Sequence, residues 1–147
     1  MIRVVLAVAL TTALFGSAFP SVERADRERS AALAIDNLES VDETAERLAT
    51  ENDPIAPGDD PAGTTVALEA PEPTFAERGR IRIRDGELSF ESPTGPNHTV
   101  EPSVPFRVEA PIVVTDRTLI RLSFVSIDGR PVVRARLPAD GSDGTRI

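Results

Sequence analysis

The sequence predicts an α+β fold: an N-terminal transmembrane helix that continues into an amphipathic stem helix, then a small antiparallel β-sandwich-like domain. Three observations predict it. Val4 to Phe19 is an uncharged, almost wholly apolar run; Ser21 to Thr50 contains neither Gly nor Pro; and two Asp-Gly pairs are each flanked by alternating apolar and polar residues. The segments are 1–20 (transmembrane anchor or signal segment), 21–50 (stem helix), 51–63 (linker), 64–138 (β-rich domain) and 139–147 (flexible tail).

The first segment is short for a span. A helix over Val4–Phe19 rises about 24 Å against about 30 Å of hydrocarbon. Reaching from Ile2 to Val22 supplies the length and takes in Pro20. Pro20 either kinks a continuous helix or opens the next one, where its missing N–H costs nothing. The alternative is a cleaved signal, with Gly16 and Ala18 as the small residues before a cut that leaves Phe19 at the new N-terminus. Both deliver the remaining chain to the same aqueous side. Arg3 and the amino group precede the run and Arg24, Arg27 and Arg29 follow it, so positive charge alone does not set the orientation. A buried core helix fits less well, because apolar residues cover every face without a polar stripe.

In the stem, Ala31, Ala34, Leu38, Val41, Ala45 and Leu48 recur three and four apart, which places them on one seam. The seam runs for under three heptads, so packing against the protein's own sheet and helix-to-helix assembly between subunits are both open. Glu43 and Arg47 have the i, i+4 order on the solvated face. Asn52, Asp53, Pro54, Pro57, Gly58, Asp59, Asp60, Pro61 and Gly63 then end the helix as a linker, with Asp59 and Asp60 solvating it.

Thr64 to Ala70 reads as a strand, closed by a break at Pro71 to Pro73. Closing a hairpin on Asp85-Gly86, a pair suited to positive backbone angles, sets Arg84 opposite Glu87, Ile83 opposite Leu88, Ile81 opposite Phe90 and Arg80 opposite Glu91. Opposite charges share one face and apolar side chains the other. Pro93, Gly95, Pro96, Pro102 and Pro105 mark a long irregular loop, followed by short strands at Phe106–Ala110 and Ile112–Thr115. A second hairpin on Asp128-Gly129 pairs Phe124 with Val133, Leu122 with Ala135 and Ile120 with Leu137. Its other face sets Arg121 against Arg136 and Ser123 against Arg134. Like charges across strands need an intervening acid, for which Glu109 is placed; an anion-binding patch is the sharper alternative. About six strands result.

Composition narrows function. The 147 residues include 24 acidic and 16 basic, the basic ones all Arg, for a net charge of −8. That surface repels phosphate backbones and argues against nucleic acid as a partner. Acid excess with Arg in place of Lys matches adaptation to high salt, where charge repulsion is screened. The absence of Cys excludes a disulfide scaffold, a thiolate metal site and a thiol nucleophile. His98 is the lone histidine, so a histidine-rich metal site is excluded and a Ser-His-Asp triad would rest on one loop residue. Asp140, Ser142 and Asp143 offer oxygens without the bidentate Glu a calcium loop requires. No Gly-rich phosphate loop and no carboxylate pair fixed between apolar strands is evident. The reading names no catalytic residue, metal ligand or cofactor. Asn97-His98-Thr99 fits the glycosylation acceptor pattern, making Asn97 a modification candidate in an exposed loop.

An N-terminal apolar helix running into a charged amphipathic stem and then a β-rich domain resembles the type IV pilin-like proteins of archaea. The Lys-free acidic composition resembles haloarchaeal members. The specific part of the likeness spans Val4 to Leu48. It departs where pilin precursors show a basic residue followed by Gly or Ala, since here Arg3 is followed by Val4. The resemblance implies a non-catalytic, single-pass membrane protein with an extracytoplasmic domain, acting as a pilus- or secretion-associated structural component. Membrane lipid would be its partner, with self-association or other protein contacts through the stem, and small residues such as Ala9, Ala13 and Gly16 allowing close packing in the bilayer. The alternative function is a secreted or tethered β-domain binding module; an envelope hydrolase built on His98 is the third.

Overall fold

The computed structural model describes residues 2–56 and 61–138. One helix, α1 (Ile2–Glu51), carries both the apolar run and the stem, with Pro20 inside it. Pro20 therefore removes one rung of a continuous ladder instead of opening a new helix.

Eight strands follow: β1 (Gly63–Leu68), β2 (Arg80–Arg84), β3 (Glu87–Glu91), β4 (His98–Val100), β5 (Phe106–Val108), β6 (Ile112–Val114), β7 (Thr118–Ile127) and β8 (Arg130–Arg136). They form two four-stranded sheets, ordered β1-β7-β8-β5 and β4-β3-β2-β6. The α+β class is as expected.

Both hairpins close in the expected register. Arg84 faces Glu87, Ile83 faces Leu88, Ile81 faces Phe90 and Arg80 faces Glu91. In the second, Leu122 faces Ala135 and Phe124 faces Val133, while the expected Ile120–Leu137 pairing lies past the end of β8 at Arg136. The two turns differ. Asp128 and Gly129 both adopt positive φ (53° and 75°), whereas at the first turn only Gly86 does (66°). Asp85 instead aims its carboxylate at β5, accepting from Val108 N at 2.7 Å and Arg107 Nη1 at 3.0 Å.

Three expectations need correction. Among the described residues there are eight strands, not about six. The segment from Pro93 to Pro105 is not wholly irregular, because His98–Val100 pairs with β3 and covers an edge that would otherwise expose unpaired backbone. Flanking Pro and Gly hide so short a strand from any periodicity. The sandwich is also not purely antiparallel, since β5 lies parallel to β8. The chain crosses from one sheet to the other through Pro102–Pro105 and enters β5 in the same direction as β8, with Val133 N donating to Pro105 O at 2.9 Å.

The inner faces of both sheets and the stem share one core. Ala34, Leu38, Val41, Ala45 and Leu48 of α1 join Leu68, Ile81, Ile83, Leu88, Phe90, Phe106, Ile112, Val114, Ile120, Leu122, Phe124, Val133 and Ala135. The stem seam is thus used within the molecule, packing on the protein's own sheets. Polar side chains of the helix secure the same attachment. Asn37 Nδ2 donates to Glu69 O at 3.2 Å, and Asp42 accepts from Ser103 N at 2.7 Å and Ser103 Oγ at 2.6 Å. The linker joins the sheet as well, with Ser126 N donating to Ile55 O at 2.8 Å and Phe124 N to Ala62 O at 2.9 Å. The expected linker residues Asp59 and Asp60, and the tail carrying Asp140, Ser142 and Asp143, lie outside the described residues.

Candidate functional site

Four surfaces bear on function, and the largest is the apolar half of α1. Val4, Val5, Leu6, Val8, Leu10, Leu14 and Phe15 are each at least 61% exposed, and nothing from the sheets covers them. The helix is long and apolar enough to cross a membrane. Thr11 and Thr12 return their hydroxyls to Ala7 O and Val8 O at 2.8 and 2.9 Å, so neither presents an unsatisfied donor to apolar surroundings. Gly16 faces open space.

At the end of this run the β domain reaches back to the helix. The loop before β2 places Phe75 beside Phe19, ring centroids 6.2 Å apart and planes at 81°, an edge-to-face contact. Asp26, two turns beyond Phe19, holds the loop: its Oδ2 accepts from Phe75 N at 2.7 Å and Ala76 N at 3.2 Å. Those backbone bonds, the one from Phe75 foremost, lower its carboxyl pKa below the usual 3.8. Arg78 braces the loop from the other end, paired with Glu72 and, at 3.1 Å, with Asp116. Beside it, Arg24 pairs with Glu28 at 2.9 Å and Arg27 with Glu23 at 2.7 Å, while Glu43 and Arg47 do not approach within ion-pair distance. Sequence reasoning missed this collar. Its one signal was an isolated Phe within a Pro-bounded polar break.

The third surface carries Asn97. It is exposed, and its Oδ1 accepts from Ser92 N at 3.1 Å, which fixes the amide while leaving Nδ2, the atom that takes a glycan, without a partner among the described residues. Thr99 of the acceptor triplet is exposed in edge strand β4. A groove of 560 Å³ runs beside this ridge, between α1 (Arg24, Arg27, Ala31, Ile35) and the loop bearing Thr94 and His98. His98 is half-buried opposite Phe90, and among the described residues its imidazole hydrogen-bonds to no serine or carboxylate. Nearby, Glu91 is held ionised below its usual range, chiefly by Arg80 at 2.6 Å, with Arg82 at 3.1 Å adding charge.

The fourth is the outer face of the β7–β8 hairpin. Arg121 faces Arg136 and Ser123 faces Arg134. Glu109 does not come between Arg121 and Arg136 as expected; its Oε1 lies 3.6 Å from Arg134 Nη1 instead, and Arg107 is drawn to Asp85 at 3.0 Å. Ser123 is fully buried beneath this arginine layer with its hydroxyl unpartnered. Arg121 and Arg136 lack an ion pair among the described residues. Among those residues no group of three or more His, Asp or Glu is placed to hold a metal ion.

Fold and surface define a class: an α+β protein in which one N-terminal helix, long and apolar enough to cross a membrane, is built into the core of a small two-sheet domain. The chain belongs to the family described as Domain of unknown function (DUF7311), whose model matches residues 1–138 and so takes in the apolar helix together with both sheets. No curated protein and no solved structure matches it.

Proposed function

We propose that this is a non-catalytic, single-pass membrane-anchored envelope protein with its two-sheet domain outside the cytoplasm, serving as a pilin-like structural component. The carrying observation is the division of labour along α1. Residues from Ala34 to Leu48 close the domain core, while Val4 to Phe15 leave apolar surface exposed on every side. A continuous apolar surface of that kind is not left in water by a folded domain, and lipid or partner helices in lipid supply its cover. Because the stem seam is occupied by the sheets, assembly between copies would run through the apolar half, along Ala9, Ala13 and Gly16. The Lys-free acidic composition supports work in high salt. The free Nδ2 of Asn97 suits glycosylation on the outer side.

The test is fractionation of native cells followed by mass measurement of the chain. An intact N-terminus in the membrane fraction supports the anchor, a start at Phe19 indicates a cleaved signal, and a start at Val4 points to pilin-type processing. A cytosolic, monomeric full-length chain that needs no detergent sinks the proposal. The second reading, a tethered binding module, is favoured by the groove between α1 and the His98 loop, and capture of a ligand there by the anchored chain would support it.

A further inference from the structure

We propose that the Phe75 loop is a second membrane contact, resting in the headgroup region beside the point where α1 leaves the hydrocarbon, so that the β domain sits down on the bilayer. This deepens the anchor reading and rests on it.

Phe90, Phe106 and Phe124 are in the core, and Phe15 and Phe19 belong to the apolar helix. Phe75 alone belongs to the β domain and yet is 52% exposed. It is not loose: its ring leans on Phe19, and Asp26 grips the backbone at Phe75 and Ala76. A loop held with its aromatic side chain outward is a presented group, not a frayed tip.

Depth follows from the ring contact. Phe19 is the last aromatic of the uncharged run, and the first charge, Glu23, comes about one turn later. If the run spans the bilayer, Phe19 lies near the edge of the hydrocarbon. Two centroids 6.2 Å apart cannot differ in depth by more than that distance. The interfacial layer on each side is itself about 5 to 7 Å thick, so Phe75 falls within it or deeper. Asp26 already supplies the acceptor for two of the loop's N–H groups, so the backbone there does not depend on water where the layer grades into hydrocarbon. Of the neighbouring charges, Arg24 and Glu28 pair with each other, and Arg78 pairs with Glu72 and Asp116. The occupant this chemistry fits is the lipid headgroup and upper acyl region.

The chain has no tryptophan, so Phe19→Trp, Phe75→Trp and Thr50→Trp each introduce a sole fluorophore. Thr50 is exposed near the far end of α1, about 46 Å along the helix from Phe19. The full-length variants are reconstituted in phosphatidylcholine vesicles containing lipids brominated at shallow or deep acyl positions. The expected result is quenching of the Phe75→Trp indole to the same degree as the Phe19→Trp indole, stronger from shallow bromines, with Thr50→Trp unaffected. Quenching at position 19 without quenching at 75 overturns the contact and leaves the anchor standing. Absence of quenching at both overturns the anchor as well. Equal quenching at all three means the molecule lies flat on the surface, which also overturns the proposal.

Discussion

Truncating Leu38 to alanine tests whether the stem is a structural member of the domain or an assembly surface. Leu38 is fully buried among both sheets, so the variant loses the transfer energy of the removed carbons and leaves a cavity between helix and sheets that each holds in place. Comparable core truncations cost about 3 kcal/mol. Leu33, five residues earlier on the same helix, is 46% exposed, and its Leu→Ala change carries the same difference in helix propensity without the cavity. Its expected effect is within about 0.5 kcal/mol. The assay is urea unfolding of the full chain in detergent micelles at fixed salt, followed by circular dichroism. With a slope of about 2 kcal/mol per molar, Leu38→Ala should lower the midpoint by about 1.5 M and leave it independent of protein concentration. Equal shifts for the two variants would refute the reasoning. So would a Leu38→Ala midpoint that moves with concentration, since that is the signature of a seam facing another subunit.

Gly79→Ala should destabilise by about 1 to 3 kcal/mol in the same assay, because its added Cβ would lie 2.3 Å from Phe90 Cζ and 2.8 Å from Glu91 O, against a ring that the core holds rigidly. Arg136→Glu should raise the midpoint, by about 0.2 to 1 kcal/mol, through replacing a cross-strand like-charge pair with Arg121 by an opposite one; an unchanged or lower midpoint would show that Arg121 is already neutralised. Asp26→Asn should flatten part of the acid limb of stability. The folded carboxyl has its pKa lowered from 3.8, so its contribution is present above 3.8 and is lost as pH falls through the lower folded value. Asp85 and Glu91 titrate in the same direction, so the readout is the difference between wild type and variant across about pH 6 to about pH 2, expected to shrink toward zero at the acid end.

What was legible in the sequence was local. Asp85-Gly86 and Asp128-Gly129 announce turns by residue type, and period-two alternation around them fixes which residues face each other, so both registers follow without tertiary information. The stem seam was visible for the same reason, but its destination was not: a stripe of Ala34, Leu38, Val41 and Ala45 fits a sheet and another helix equally well. His98–Val100 has too few residues to show a period, and the parallel placement of β5 depends on where the chain stands after crossing between sheets, which no local pattern encodes. The Phe75 collar was hidden because it is a contact between residues 49 and 56 positions apart in sequence, Asp26 with Phe75 and Phe19 with Phe75, inside a segment whose composition reads only as a break.

The continuity of α1 constrains how the domain can move relative to the apolar half of the helix. From Val22 to Ala34, the first fully buried apolar residue of the stem, is a rise of about 18 Å, and no Gly or Pro interrupts it. A domain that swings on a tether needs residues able to leave the helix without loss, and here the turns from Glu23 to Glu28 are tied instead: Glu23 to Arg27, Arg24 to Glu28, and Asp26 to the Phe75 loop. Pro20 is the weakest rung, because the carbonyl one turn before it lacks its usual partner, and it lies between the two helix residues of the collar, Phe19 and Asp26. Bending at Pro20 would tilt the stem and sheets relative to the apolar helix before it, and the Phe19–Phe75 contact, which bridges the two sides one residue from Pro20, resists that tilt. On the proposed anchoring, the collar is thus placed where it limits the angle between the apolar half of α1 and the domain.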